Sequence, residues 1–402
     1  MARNASTGFR NGGAPTDRAL QVTIDRPNLA TEQTMRIGYV LTTLGMGGAE
    51  RQALEVAEQM ERRGHSVHVL VLGPPVREEW PVRLNVTRLD LRRNPASLVA
   101  AFRRARGFVH DFRPDLLHSH CFHANLFARL LRLGGARCGV ISTIHNVYEG
   151  PWPRMLAYRL TGRWADQTMA VSRVAADRFI AEGAVAAERM GVAVNGIDTE
   201  QFAPDEMRRV ATRMAMAAGE SFVWLSAGRL TPAKDYPNLL RAFARVRDRR
   251  AEATLWIAGE GSSAYAALLK AQARTLGVEE SVRWLGLRRD MAALLDGADG
   301  FVLGSAWEGM PLVLGEAMAM EKPVVATDVG GVRELTGELG VLAPAGDSAM
   351  LAAAMLGVMD KPLDERRRLG AESRARIEAG FGLDARVDEW EQLYHTVVER
   401  GR

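Results

Sequence analysis

The chain of 402 residues carries only two cysteines, Cys121 and Cys138. Two thiols cannot build a disulfide framework, and they suit a reducing compartment. Neither lies in a Cys/His cluster with zinc spacing. No run approaches the roughly 18 apolar residues that a membrane-spanning helix needs. The N-terminal segment has no apolar core of the kind a secretory signal carries. Aromatic residues make up only 6% of the chain. Lysine is scarcer still: Lys234, Lys270, Lys322 and Lys361 are the only four among 52 Lys+Arg. Such a skew is as readily the footprint of a GC-rich genome as of function, so single arginines are not read as signals.

What is present is a globular composition, 47% hydrophobic and 25% charged, with 39 glycines. Glycine suits an α/β protein whose tight turns carry ligand loops, and the length suits two cores. Residues 1–34 are rich in Asn, Thr, Arg, Gly and Pro and read as a disordered tail. Met35 then opens a clean strand, which favours a start at Met35 over a true flexible extension. The net charge of +4 is uneven. Residues 35–200 hold 22 Arg and no Lys against 16 acids, giving +6. Residues 201–402 hold 26 basic against 29 acidic residues, giving −3, and the tail supplies +1. A basic half beside an acidic half suggests that an anionic ligand or surface faces the first half.

Apolar strand-length runs alternate with amphipathic stretches. The first set is MRIGYVLTT (35–43), HSVHVLVLG (65–73), DLLHSH (115–120), GVISTIH (139–145) and QTMAVS (167–172). The rhythm restarts after Asn195-Gly196-Ile197-Asp198 with SFVWLSAG (221–228), ATLWIAG (253–259), SVRWLG (281–286), DGFVLGS (299–305), PVVAT (323–327) and GVLAP (340–344). Repeated βαβ units mean parallel sheets covered on both faces. The fold class is therefore α/β, with two Rossmann-like parallel-sheet domains facing across a cleft. The boundaries are 35–200, 201–380, and a final helix over 381–402 carrying Trp390, Leu393 and Tyr394.

Two loops stand out. Gly45-Met46-Gly47-Gly48-Ala49-Glu50 follows the first strand and opens a helix, where a backbone can approach a phosphate or sugar. It lacks the G-x-G-x-x-G spacing of a dinucleotide site, and a tight turn without a ligand remains the alternative. The second, Ser305-Ala306-Trp307-Glu308-Gly309-Met310-Pro311-Leu312, leads into a helix carrying Glu316. Pro311 suits the first helical turn, and the amides of Gly309 and Met310 would sit near its positive end, where a diphosphate can bind. Glu308 and Glu316 could contact separate parts of one ligand; taken alone, they read equally as solvated carboxylates. Arg229 and Lys234 follow a strand end, where the plain reading is a surface pair. His145 ends a strand, where a hydrogen-bonded structural histidine is the commoner case. His118, His120 and His123 have a spacing that invites a metal, but no carboxylate follows closely, so metal binding there is disfavoured.

In combination these motifs become specific. Glu308 and Glu316, continued by Lys322-Pro323-Val324-Val325-Ala326-Thr327-Asp328-Val329-Gly330-Gly331, closely resemble the signature of retaining glycosyltransferase family 4, glycosyl transferases group 1, of GT-B fold. The Gly45–Glu50 loop, Thr143-Ile144-His145, Val171-Ser172, Asn195–Asp198, Gly228-Arg229-Leu230 with Lys234, Gly259-Glu260-Gly261 and Trp284-Leu285-Gly286 follow the same family in order, over roughly residues 35–395.

The resemblance implies definite roles. Glu316 holds the ribose of the nucleotide. Glu308, with the Gly309 and Met310 amides and neighbouring Pro311 and Leu312, holds the donor sugar. Arg229 and Lys234 neutralise the diphosphate, whose charge grows as the glycosidic bond breaks. Gly47 and Gly48 close over the donor, His145 sits at the reacting sugar, and the last helix returns to the first domain. The implied donor is a nucleotide-diphosphate sugar and the acceptor a glycan or lipid-linked precursor. The expected location is cytoplasmic, with peripheral contact to an anionic inner membrane through the arginine-rich stretches Leu98–Arg113 and Asn125–Arg137. No nucleic acid, cofactor or metal is expected. The sequence has no D-x-D, the motif that holds divalent cations in the other major glycosyltransferase architecture. The rivals are a sugar-nucleotide epimerase of similar architecture and a non-catalytic sugar-nucleotide-binding protein. The latter would be expected to have lost one of Glu308, Glu316, Arg229 or Lys234.

Overall fold

A computed structural model describes residues 33–401, so the expectation of a tail over residues 1–34 falls almost wholly outside it. The first sheet contains β1 (Arg36–Leu41), β2 (Ser66–Val71), β3 (Asn85–Arg88), β4 (Leu116–His120), β5 (Gly139–Ile144), β6 (Gln167–Ala170) and β7 (Met190–Val192). Their spatial order is β3-β2-β1-β4-β5-β6-β7, every pair parallel. The second contains β8 (Phe222–Ala227), β9 (Ala253–Ala258), β10 (Val282–Gly286), β11 (Gly300–Leu303), β12 (Val324–Thr327) and β13 (Val341–Ala343), ordered β10-β9-β8-β11-β12-β13 and also parallel. These are the two doubly wound domains that the repeated βαβ pattern predicts. β4 and β5 are buried along their whole lengths, because helices cover both faces.

In each sheet the strand order reverses at one place, between β1 and β4 and between β8 and β11. Helices on opposite faces diverge there and leave a crevice at the carboxyl ends of the strands. The loops after β1, β4, β5, β8, β9 and β11 all open into that crevice, so the topology fixes where a ligand can sit.

The chain crosses between domains near Ile197. Ile197 N donates to Phe381 O at 2.8 Å, and Leu383 N donates to Ile197 O at 2.9 Å. The helix Leu363–Phe381 packs with the second domain, its Ile377 and Phe381 beside Leu314 and Met318. The helix Leu383–Gly401 packs on the first sheet through Val387, Trp390, Tyr394 and Val397, against Ile37, Tyr39, Leu116 and Ile141. Polar bonds fix its register: Tyr394 Oη meets Tyr39 Oη at 2.9 Å and His118 Nδ1 at 2.6 Å.

Several elements escape the sequence reading. β3, β7 and the helix Glu206–Ala215 are short or lack a buried stripe; no residue of that helix is buried. The stretch Asn125–Arg137 also needs correction as a membrane-facing surface. It lies mostly in the helix Cys121–Leu133, whose Phe127 and Arg129 are core. Arg129 is buried because Ser142, Tyr158 O, Thr161 and Thr168 accept its donors. Among the described residues no helix is long and apolar enough to cross a membrane.

Candidate active site

A cleft of about 860 Å³ lies between the domains. It is lined by Gly47, Gly48 and His145 from the first domain, and by Arg229, Lys234, Glu308, Gly309, Met310, Pro311, Leu312 and Glu316 from the second. The residues to which the sequence reading gives catalytic or donor-binding roles thus meet in one space.

On the second-domain wall, the segment after β11 turns inward and the helix Leu312–Ala319 begins. Pro311 is the residue before the helix rather than its first turn, with extended backbone and no side-chain cap. The helix start therefore carries no capping carboxylate, and Met310, Pro311, Leu312 and Val313 around it line the cleft. Glu308 is 7% exposed and doubly held: its Oε1 accepts from Ser305 Oγ and from Lys234 Nζ, both at 2.6 Å. Lys234 ends the short 3-10 turn Pro232–Lys234, so its side chain reaches back across the end of β8. Arg229 is exposed, and its guanidinium makes no hydrogen bond or ion pair among the described residues. Glu316 is 1% exposed; its Oε1 accepts from Arg51 Nη1 at 2.5 Å, and its Oε2 has no partner. Burial pushes the Glu316 carboxyl upward, and the Arg51 charge opposes that.

The first-domain wall sets glycine backbone and His145 among charged side chains, Glu50, Arg51, Glu78, Glu149 and Arg154. Gly47 caps the helix Gly48–Arg62 without a side-chain bond. A Cβ on Gly48 would meet only Leu312 Cδ1, at 3.6 Å. The fold alone would accept alanine there, so the argument for glycine rests on the ligand. His145 follows β5, and its Nε2 shares a 2.9 Å hydrogen bond with His120 Nδ1. His120 Nε2 is buried without a partner. A buried orphan N–H costs more than an orphan lone pair, so His120 donates through Nδ1, and the proton of neutral His145 sits on its own Nδ1. Burial lowers the His145 pKa to about 4, and it lowers those of His118 and His120 as well.

The domains touch through backbone. A Cβ on Gly309 would lie 2.0 Å from His145 O, and Asn146 and Gly309 form an isolated antiparallel bridge. Gly330, at φ +54°, brings its backbone against Glu308 O, where a Cβ would again stand at 2.0 Å. Asn195 Nδ2 donates to Met310 O at 2.9 Å. Glu334 accepts from the amides of Arg173 and Val174, both at 2.9 Å, capping a first-domain helix from the second domain.

The histidines of the H-x-H-x-x-H run do not converge on one point. His118 is occupied by Tyr394 and Thr143, and His120 by His145. Among the described residues the one group able to surround a cation is His65, Glu391 and His395. There His65 Nδ1 accepts from Met35 N at 3.2 Å, so its Nε2 carries the proton shared with Glu391 at 2.7 Å and has no lone pair for a metal.

Sequence reasoning missed Arg51, Glu55, Trp80 and Glu149, all near or lining the cleft. One signal was available for Arg51. A cation in the first turn of a helix opposes the macrodipole, which makes it an anomaly. Glu149 gave no local signal; burial raises its pKa to about 7, while it accepts from Tyr158 Oη at 2.6 Å.

Comparison with known proteins agrees with this architecture. Residues 46–201 match the family described as Glycosyltransferase Family 4, and residues 221–361 match Glycosyl transferases group 1. A putative glycosyltransferase, EpsD of Bacillus subtilis, is 26% identical over 84% of this chain and 91% of its own. The UDP-Gal:alpha-D-GlcNAc-diphosphoundecaprenol alpha-1,3-galactosyltransferase of Escherichia coli is 23% identical over 92% and 99%. The crystal structure of Anabaena HepE in complex with UDP and glucose superposes with a TM-score of 0.79 at 22% identity, covering 88% of this chain and 98% of that one. With one half of the cleft matched to each of these two glycosyltransferase descriptions and both sheets in place, the chain belongs to the family 4, group 1 glycosyltransferases of GT-B fold.

Proposed function

We propose that this glycosyltransferase moves a sugar, with retention of anomeric configuration, from a nucleotide-diphosphate sugar to a glycan or lipid-linked acceptor, in cell-surface polysaccharide or glycolipid synthesis. The observation that carries the reading is the meeting of Arg229, Lys234, Glu308, Glu316 and an uncapped helix start with the Gly47-Gly48 loop in one cleft. Glu316 holds the ribose, while Glu308 and the adjoining Gly309–Leu312 segment hold the sugar. Glu308 is already tied to Ser305 and Lys234, which suits an acceptor of sugar hydroxyls better than a nucleophile. Arg229, whose guanidinium makes no hydrogen bond or ion pair among the described residues, meets the diphosphate together with Lys234. The bond from the anomeric carbon to the diphosphate oxygen breaks, and that oxygen keeps the electron pair. The acceptor oxygen bonds to the same face, and its proton passes to the leaving phosphate. Side-chain cations and the helix end stabilise the leaving group, so no divalent cation or cofactor is required.

The first domain binds the acceptor and lies against an anionic membrane at its cytoplasmic face. Its surface favours this: Trp152 is 70% and Leu160 64% exposed beside Arg159 and Arg163, and Leu98 and Val99 are exposed beside Arg103 and Arg106. The named substrate of the Escherichia coli relative is itself lipid-linked.

A thermal-shift panel of nucleotide sugars tests the donor. A ligand at 100 times its Kd stabilises by about 2.7 kcal/mol. Absence of any stabilisation by uridine, guanosine or adenosine diphosphate sugars would count against the site assignment. NMR of the product's anomeric proton tests retention, and an inverted product would overturn it. Flotation with anionic liposomes at low and high salt tests the membrane contact, which salt-insensitive absence of binding would remove.

A further inference from the structure

Glu316 stands out among the cleft carboxylates because its partners come from the opposite domain and leave it half satisfied. Arg51, on the helix Gly48–Arg62, donates through Nη1 to Glu316 Oε1 at 2.5 Å and through Nε to Glu55 Oε1 at 2.7 Å. Its guanidinium also lies over two rings, Trp80 at 5.7 Å and Phe202 at 5.2 Å. A planar fork held at two edges and against two aromatic rings keeps little freedom to lose. Glu316 Oε2 is buried and unpartnered, on a residue that lines the cleft.

As a device for joining domains this triad is expensive. Arg51 sits against its own helix dipole, and three desolvated charges hold two surfaces no better than apolar side chains of similar size. What an apolar contact could not do is fix the orientation of one carboxylate while leaving its second oxygen free.

We infer that Arg51 is a positioning residue for the donor nucleotide: by holding Oε1 of Glu316 it presents Oε2 to a ribose hydroxyl. Because Arg51 reaches Glu316 from the other domain, the ribose contact is complete only when the cleft is closed, which couples nucleotide recognition to closure. The inference rests on the reading that Glu316 holds the ribose.

The test measures Kd by calorimetry on the full chain, using uridine, guanosine and adenosine diphosphates and their 2′,3′-dideoxy counterparts, with the tightest-binding base carried forward. The wild type prefers the ribose form by about tenfold or more, the scale of one hydrogen bond to a charged group. In Arg51→Met that preference falls about tenfold, while binding of the dideoxy form moves less than about threefold. Arg51→Lys keeps part of the preference, because a point charge cannot bridge Glu55 and Glu316 as a fork does. Glu55→Gln loosens the far end of the bridge and shifts the preference in the same direction by less; it carries the test if Arg51→Met does not fold. Equal weakening of both forms in Arg51→Met, or an unchanged preference, overturns the inference. Glu316→Gln separates the two failures. If the preference vanishes in Glu316→Gln but survives Arg51→Met, only the positioning role is wrong. If it survives Glu316→Gln, the ribose assignment itself is wrong and the inference falls with it.

Discussion

The two walls of the cleft are built from different materials. The second-domain wall carries charge, with Arg229 exposed and outside any ion pair among the described residues, Lys234 shared with Glu308, and Glu316 buried to 1% exposure. The first-domain wall presents glycine backbone and His145, held neutral by burial beside His120, among carboxylates and arginines of its own: Glu50, Glu78, Glu149, Arg51 and Arg154. Of its two arginines, Arg51 gives its charge to the other wall, while Arg154 donates to Glu149 O within its own. The difference teaches a division of labour. Cations on one wall can respond to a leaving group that gains negative charge, whereas close backbone fit on the other controls distance and water.

The largest effect should come from the cations of the second-domain wall. Arg229→Ala or Lys234→Ala is expected to lower kcat by roughly 10²–10³-fold, by analogy with the loss of one oxyanion donor. Arg229→Lys should recover only part of it. Initial rates with chelator, and then with added Mg²⁺ or Mn²⁺, complete the measurement. Transfer abolished by chelator and restored by metal would mean that these two side chains are not the main stabilisers.

Shape should dominate on the other side of the comparison. Gly309→Ala puts a methyl 2.0 Å from His145 O, so the walls must part. A 1 Å displacement at the reacting centre can cost about 100-fold in rate. Gly48→Ala meets only Leu312 Cδ1 at 3.6 Å, so it should keep the wild-type melting temperature while still losing activity. Melting curves and kcat/KM on both variants decide this, and full activity in Gly48→Ala would remove that glycine from the donor site.

A third test uses pH. Burial raises the Glu149 carboxyl from 4.5 to about 7. A carboxyl raised in the folded state contributes stability that is fully present below its unfolded value and is lost as pH rises through the folded one. Glu149→Gln lacks this titration. The wild-type advantage in unfolding free energy should therefore shrink by on the order of 3 kcal/mol between about pH 4 and pH 8. A difference that stays flat across this range would mean Glu149 is ionised throughout.

The smallest effect is conformational. Cys121 follows β4 at φ +67°, in the left-handed region that side chains disfavour. Cys121→Gly should relieve about 1 kcal/mol of strain, visible as a higher melting temperature. A lower one would mean that the Cys121 side chain contributes more by packing than its backbone costs.

Much of the fold was legible because periodicity is local. MRIGYVLTT became β1, the helix opened by the Gly45–Glu50 loop became Gly48–Arg62, and ATLWIAG became β9. β3 and the helix Glu206–Ala215 were not legible, since they bury too little for a pattern to form. The candidate site was legible where its residues lie close in sequence: Glu308 to Glu316 read as one motif on one helix start. It was illegible where partners are remote, as with Arg51 and Glu316, 265 residues apart, or His120 and His145, 25 apart.

The sequence by itself determined two parallel-sheet domains, the family resemblance, and a set of glycine, arginine, lysine and glutamate residues suited to a diphosphate and its sugar. Those follow from hydrophobic period and short-range turn chemistry, which neighbouring residues carry unaided. Only the tertiary structure decided that Lys234 leans on Glu308, that Gly309 closes against the His145 carbonyl, and that Glu316 is gripped from the far domain. The first arises when neighbouring strands β8 and β11 bring their loops together, and the other two when two sheets, each with its own switch point, are brought face to face. No local pattern records which side chain will meet which across that gap.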